Sequence, residues 1–236
     1  MIIAGKTILI TGASGGIGSC LLDQFISRKA KKIYAADLNK DSLEILKAQY
    51  GDIIAPIKLD VTNQNDVQSC RNICEDIDIL INNAGVEYAK SFLSEGSIRA
   101  SSIEMAVNYF GVHNLCFSFW DALKEKESPA IINILSIASF SLILKLGTYC
   151  ASKAAAHFLT QGLRNEAITT NIKIFGVYPG YVDTNMTKNL DVVKATPQDI
   201  AANICNDVEC DILDIFPDAM SKNLSKQIDY KSYVFS

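Results

Sequence analysis

Six short runs of β-branched and aliphatic residues recur through this chain, and none of them alternates polar with apolar. They are Thr7 to Ile10, Lys32 to Ala36, Ile53 to Lys58, Ile77 to Ile81, Ile131 to Leu135 and Ile172 to Tyr178. A strand with one wet face shows a period of two, so unbroken apolar runs predict strands covered on both faces. Helical patterns lie between them, at Ile17 to Arg28, Asp41 to Tyr50, Asn65 to Cys74, Ile103 to Leu123 and Tyr149 to Ala167. Strands alternating with helices predict an α/β fold with a doubly wound parallel sheet and right-handed crossovers.

With 236 residues the chain is long enough to bury a sizeable core, and no repeat, low-complexity tract or linker divides it, so a single domain over 1–236 is expected. A net charge of -4 argues against a nucleic-acid surface, which needs a basic stripe to displace phosphate counterions. No stretch approaches the roughly 18 to 20 apolar residues of a membrane span, and the start "MIIAGKTILITG" is unlike a signal peptide. A cytoplasmic protein is therefore expected. The seven cysteines lack CxxC pairs, and Cys70 and Cys74 have no histidine beside them, so they read as reduced core residues and no metal is expected. His113 and His157 each stand alone within a helical pattern and read as structural.

Ligands of doubly wound sheets bind beyond the carboxyl ends of the strands. After the first run comes "TGASGGIG", Thr11 to Gly18, leading directly into a helix. Gly12, Gly16 and Gly18 permit a tight turn and close backbone approach to a pyrophosphate, while the helix start offers unpaired N–H groups and a partial positive charge. The second run ends at Asp37, about twenty residues further on, where a carboxylate can accept both hydroxyls of an adenosine ribose and would repel a 2'-phosphate. Neither Ser14 in the loop nor Leu38 after the aspartate supplies an arginine for such a phosphate. NAD(H) is therefore favoured, with NADP(H) as the alternative because of Lys40.

From about residue 4 to 205 the chain resembles the short-chain dehydrogenases/reductases, which have a Rossmann fold. The matching pieces are "TGASGGIG", "LDVT" (Leu59 to Thr62), "NNAG" (Asn82 to Gly85), Val107 with Asn108, Ser136, "YCASK" (Tyr149 to Lys153) and "PGYVDT" (Pro179 to Thr184), in the family's order. The resemblance implies that Ser14, Ile17 and Leu38 join the glycines and Asp37 around the dinucleotide. It implies that Asp60 and Val61 receive the adenine edge, and that Asn82, Asn83, Ala84 and Gly85 close the fourth strand over the cofactor. Pro179, Gly180, Val182 and Thr184 would hold the nicotinamide end, and Asn108 would hold a water linking Lys153 to solvent.

Tyr149 and Lys153 are four apart on a helix and share a face. A phenol with a pKa of about 10 is ionised only about one part in a thousand at pH 7, too little for an effective base. A positive charge about 4 Å away contributes on the order of 4 kcal/mol at a dielectric of about 20, so Lys153 is expected to favour the tyrosinate. Tyr149 would then exchange a proton with an alcohol or carbonyl oxygen while a hydride passes to or from the nicotinamide, and Ser136 would hydrogen-bond the same oxygen. Tyr149 and Lys153 count among the cofactor contacts as well.

Phe140, Leu142, Leu144 and Leu146, with Val86, Tyr88, Tyr181 and Met186, suggest a small apolar or aromatic carbonyl or alcohol substrate. The stretch 184–196 is short for a substrate lid, and "DILDIFPDAMSKNLSKQ" replaces the glycine-rich end usual in the family. Phe110, Phe117, Trp120 and Phe158 suit a homodimer or homotetramer through paired helices. Two other readings stay open: a dinucleotide-sensing regulatory protein without turnover, and an epimerase or dehydratase using the same site.

Overall fold

In the computed structural model, which describes residues 1–228, seven parallel strands form one sheet in the order β3-β2-β1-β4-β5-β6-β7. The last eight positions of the expected 1–236 unit lie outside the described residues. The strands are β1 (Thr7–Thr11), β2 (Lys32–Asp37), β3 (Ile54–Lys58), β4 (Ile79–Asn82), β5 (Ala130–Ile134), β6 (Lys173–Val177) and β7 (Asp214–Ile215). The order reverses between β1 and β4, and the strands on either side of that point open a crevice at their carboxyl ends. This is a single Rossmann-like α/β domain.

The apolar runs do not alternate because both sheet faces are covered. Ile8, Ile10, Ile79, Ile81 and Ile132 point into a core closed by Leu22 and Phe25 of α1 (Gly16–Ser27) and by Ile204 of α7 (Pro197–Glu209). Leu9, Leu80, Ile131 and Ile174 point the other way, against Cys70 of α3 (Gln64–Ile73), Phe119 of α5 (Val112–Lys124) and Leu163 of α6 (Gly147–Glu166). Burying a side chain of this kind contributes about 1.5–3 kcal/mol, so the two faces together dominate the stability. The remaining helices are α2 (Lys40–Tyr50), α4 (Ser97–Met105) and α8 (Ala219–Ser225).

Helices α7 and α8 lie outside the expected helical patterns, and two further features depart from the sequence expectations. The helix expected to run from Ile103 to Leu123 starts earlier, at Ser97, and is interrupted by a π-helical turn at Ala106–Gly111 that joins α4 to α5. Gly111 lies so close to Val61 that an added Cβ would stand 2.6 Å from the valine Cγ2, so packing against that loop fixes the local geometry. The C-terminal stretch that looked atypical supplies the seventh strand, a two-residue β7 whose register pairs Val177 with Ile215. No helix among the described residues is long and apolar enough to cross a membrane.

Candidate active site

The loop after β1 is held by its own backbone geometry and by Asn83. Gly12 has a φ of 62°, in the left-handed region that favours glycine. Asn83 Nδ2 donates to the carbonyl oxygens of Thr11 and Gly12 at 3.0 and 2.9 Å, and the Thr11 hydroxyl accepts from the N–H groups of Asn83 and Ala84, both at 3.1 Å. The loop and the end of β4 are thus one unit. Gly18 packs against this turn: a Cβ there would lie 2.2 Å from the Gly12 carbonyl oxygen, while one on Gly16 would lie 2.5 Å from Thr184 Cγ2. Helix α1 has no side-chain cap and no acidic residue in its first turn, leaving its leading N–H groups for an anion.

A cleft of about 410 Å³ lies over this loop. Gly12, Ser14, Gly16 and Ile17 line its floor, and Asp37 and Leu38 come from the end of β2. Asp60 and Val61 after β3, Asn83, Ala84 and Gly85 after β4, and Thr184 close the remaining sides. The Asp37 carboxylate is fixed in place, accepting from the Ser14 N–H at 3.0 Å, the Ser14 hydroxyl at 2.7 Å and the Asn39 N–H at 3.2 Å. The glycine cradle, the uncapped helix start and the anchored carboxylate fit an adenine dinucleotide. Asn82 is the member of "NNAG" that stands apart: it is buried inside the sheet, where its amide donates to Asn133 Oδ1 at 2.8 Å.

A second cavity, of about 120 Å³, adjoins the first through Ile17, Asn83, Gly85 and Thr184, which line both. Ser136, Tyr149 and Lys153 face it, as do Pro179, Gly180 and Val182. Ser136 follows β5 in extended backbone and accepts from the Ala138 N–H at 3.1 Å, which starts the short turn Ile137–Ser139. Tyr149 and Lys153 lie one turn apart on α6. The lysine ammonium stands 5.8 Å from the centre of the tyrosine ring and donates to the Ile134 carbonyl oxygen at 2.9 Å.

Burial governs both groups. It pushes the Lys153 ammonium down to about 8. It also pushes the Tyr149 phenol above its ordinary value, a hydrogen bond with Ser136 opposes this, and the charges of Glu87, Cys150 and Glu104 add to the rise. Burial of the phenol therefore sets the direction of its shift. Asn108 lies in the π turn, buried behind Gly85, where a Cβ on that glycine would stand 3.3 Å from its Oδ1, and it lines neither cavity. Its side chain clasps Val86, accepting from the Val86 N–H and donating to the Val86 carbonyl, both at 2.9 Å, and its other amide proton goes to Ser152 Oγ at 2.9 Å. The Ser152 hydroxyl in turn donates to the Tyr149 carbonyl at 2.8 Å.

Of the apolar residues expected at the substrate mouth, Leu146, Tyr181 and Met186 line the second cavity, and Val86 lines the first. Tyr88 is exposed. Phe140 packs instead against His157 and Tyr178, with ring centres 4.7 and 4.8 Å apart, and Leu142 and Leu144 are exposed because the segment before α6 turns outward. Sequence reasoning missed Ile143, Leu190 and above all Glu87, which face the cavity from irregular segments whose period carries no signal.

Fold and cleft together define a dinucleotide-binding α/β protein. The sequence profile of the short chain dehydrogenases matches residues 6–194. An uncharacterized oxidoreductase of Staphylococcus aureus (strain N315) is 31% identical over 208 residues, covering 85% of this chain and 89% of that protein. A short chain dehydrogenase from Burkholderia cenocepacia J2315, solved in complex with NADP, matches with a TM-score of 0.90 at 32% identity, covering 96% of this chain and 93% of that one. A short chain dehydrogenase/reductase from Burkholderia phymatum, solved with NAD, matches with a TM-score of 0.85 over 100% of both chains, a likeness of fold at 22% identity. The chain belongs to the short-chain dehydrogenase/reductase family of oxidoreductases.

Proposed function

We propose that this protein interconverts a carbonyl and an alcohol on a small apolar or aromatic substrate, using NAD(H) and Tyr149 as proton donor or acceptor. The observation that carries the reading is that Ser136, Tyr149 and Lys153 line a cavity continuous with the glycine-floored cleft. Gly12, Gly16, Ile17 and the start of α1 would hold the pyrophosphate, with Gly18 keeping the turn tight. Asp37, Ser14 and Leu38 would hold the adenosine ribose, and Asp60 and Val61 the adenine. Asn83, Ala84, Gly85, Pro179, Gly180, Val182 and Thr184 would hold the nicotinamide end. The cofactor supplies or accepts the hydride at the carbonyl carbon.

In reduction, the neutral Tyr149 hydroxyl gives its proton to the developing alkoxide. Ser136 donates to the same oxygen and fixes its position, a role in which its weak 3.5 Å contact with the Pro179 carbonyl is readily exchanged. Lys153 places positive charge behind the phenol and favours the tyrosinate left after transfer. Asn108 is a positioning residue, tying Val86 and, through Ser152, the backbone of Tyr149 to the π turn. A phenol held high by burial keeps its proton at neutral pH, the form that donation in carbonyl reduction requires.

Preference for NAD(H) rests on Asp37, whose anchored carboxylate would face a 2'-phosphate as a like charge; the NADP complex of the Burkholderia cenocepacia relative keeps the second cofactor in the test. Free cysteines suit a cytoplasmic setting, and the exposed Phe117 and Phe158 suit a homodimer or homotetramer. The test is oxidation of NADH and NADPH with a panel of aryl and alkyl carbonyls, by wild type and Tyr149→Phe. A loss of about 10²–10⁴-fold in the variant, with cofactor binding kept, is expected; equal rates would overturn the role of Tyr149.

A further inference from the structure

Glu87 is the only carboxylate among the residues that line the reaction cavity. It sits in the irregular segment after β4, where its Oε1 accepts from the N–H of Ala89, a residue with a φ of 51°. The carboxylate thereby holds a strained turn and is itself held at the cavity wall. Behind this segment lies Glu104 of α4, with no exposure at all. Its Oε1 accepts from the Tyr88 N–H at 2.9 Å, and its Oε2 has no hydrogen-bond partner among the described residues. Neither glutamate forms an ion pair among the described residues. Burial pushes the Glu87 carboxyl up, the hydrogen bond from the Ala89 N–H opposes this, and the charge of Glu104 adds to the rise, so the two groups feel each other.

Glu104 is fully enclosed while Glu87 is half-buried at the cavity wall, and an enclosed carboxylate without a counter-charge costs several kcal/mol unless something else compensates it. The chain offers little: the one cation in the cavity, Lys153, is turned to the Ile134 carbonyl. Ile137, Ile143, Leu146 and Leu190 add apolar wall, beside the polar Asn83, Ser136, Thr184 and Thr187. The cavity thus combines apolar patches with one carboxylate and one ammonium, and the charge of the carboxylate is felt at the phenol that would exchange the proton. An anionic group meets repulsion on the Glu87 side, and a neutral one leaves that carboxylate without a paired counter-charge.

We propose that this cavity selects substrates bearing a cationic amine beside the reacting carbon, amino alcohols and amino ketones with an apolar body, and that Glu87 takes the ammonium while Glu104 deepens the negative potential. The inference rests on Tyr149 acting at the substrate oxygen. In the oxidative direction the Tyr149 phenol would first release its proton to solvent, its phenolate Oη would then take the substrate hydroxyl proton, and the carbinol hydride would go to the oxidised dinucleotide, leaving the amino ketone with its ammonium unchanged.

Three probes of matched shape test it: 2-amino-1-phenylethanol, 1-phenylpropan-1-ol and 3-hydroxy-3-phenylpropanoate. Binding is read by calorimetry and turnover by reduction of NAD+ or NADP+, in wild type, Glu87→Gln and Glu104→Gln. Each glutamine keeps an oxygen for the backbone N–H that its glutamate serves, so the fold is preserved. The ammonium probe is expected to bind wild type about tenfold or more tighter than the neutral probe, with the anion weakest. Glu87→Gln should bring the ammonium-to-neutral ratio near one, and Glu104→Gln should lower it by a smaller factor. Equal binding of the three probes, or an ammonium preference that survives Glu87→Gln, would overturn the inference. Turnover of the neutral alcohol without ammonium preference would sink it and leave the hydride-transfer reading standing. Selective ammonium binding lost in Glu87→Gln, without any turnover, would do the reverse.

Discussion

The Lys153 ammonium donates to the carbonyl oxygen of Ile134, the last residue of β5, across 2.9 Å. That contact ties the charge on α6 to the centre of the sheet, and burial still pulls its pKa down to about 8. The group therefore carries its proton at neutral pH and loses it just above. For carbonyl reduction, kcat/KM is expected to fall as pH rises through about 8, since the free enzyme's ionisations govern that parameter. Lys153→Arg, permanently charged, should move the falling limb to higher pH, and Lys153→Met should lower the whole profile by about 10²-fold or more and remove the limb. A limb that stays near 8 in the arginine variant would assign it to another group.

The cofactor turn depends on missing side chains. A Cβ on Gly18 would stand 2.2 Å from the Gly12 carbonyl oxygen and 2.9 Å from Asn83 Nδ2, the amide that pins the turn. Gly18→Ala should destabilise the protein by about 1–3 kcal/mol and abolish the thermal shift given by a dinucleotide. Gly162, inside α6 with nothing within 4 Å of such a Cβ, is the opposite case. Gly162→Ala should stabilise by about 0.5–1 kcal/mol through helix propensity and leave the shift intact. Urea unfolding of both variants, with and without NAD(H), separates the effects.

Cofactor choice should turn on Asp37. Its carboxylate accepts three hydrogen bonds, two of them from Ser14 in the glycine loop, so it cannot swing away to admit a 2'-phosphate without leaving those donors unpaired. Asp37→Ser is expected to lower the NAD(H)-to-NADP(H) ratio of kcat/KM by about tenfold or more, through weaker ribose binding and removal of the repulsion. An unchanged ratio would place the discrimination elsewhere, with Lys40 the next residue to substitute.

The parts of this architecture that were legible in the sequence were those where one local rule decides. Unbroken apolar runs gave away strands buried on two faces, the glycine turn gave away the floor of a cleft, and Tyr149 with Lys153 gave away a shared helix face. What stayed hidden was set by distant contacts. Two residues, Asp214 and Ile215, are too few to show a period, and they become a strand only because β6 offers an open edge. The π turn around Asn108 answers to the packing of Gly111 on Val61, neither of which breaks a helical pattern. Phe140, Leu142 and Leu144 look alike in sequence, yet one is recruited by the His157 and Tyr178 rings while the other two point to solvent. Glu104 reads as an ordinary polar helix residue and is fully enclosed.

The stripe that carries Tyr149 and Lys153 continues to His157, and this third residue should set the acid stability. His157 Nδ1 lies 3.0 Å from the Tyr178 hydroxyl, and that hydroxyl donates to Asp214 at 3.3 Å, which is paired with Arg164 at 2.8 Å. Burial lowers the imidazole pKa, Asp214 opposes the shift, and Arg164 adds to it. The folded value therefore lies below the unfolded one of about 6.5. Above that value both states are neutral and pH does not matter through this group. As pH falls below it, the unfolded chain takes up a proton that the folded chain resists, so stability is lost progressively. Thermal unfolding between about pH 7 and about pH 5 should show this loss in wild type and a smaller one in His157→Asn, whose amide can still meet the Tyr178 hydroxyl but does not titrate there. Parallel curves for the two proteins would mean that His157 takes up its proton equally in the folded and unfolded states and that other groups carry the acid sensitivity.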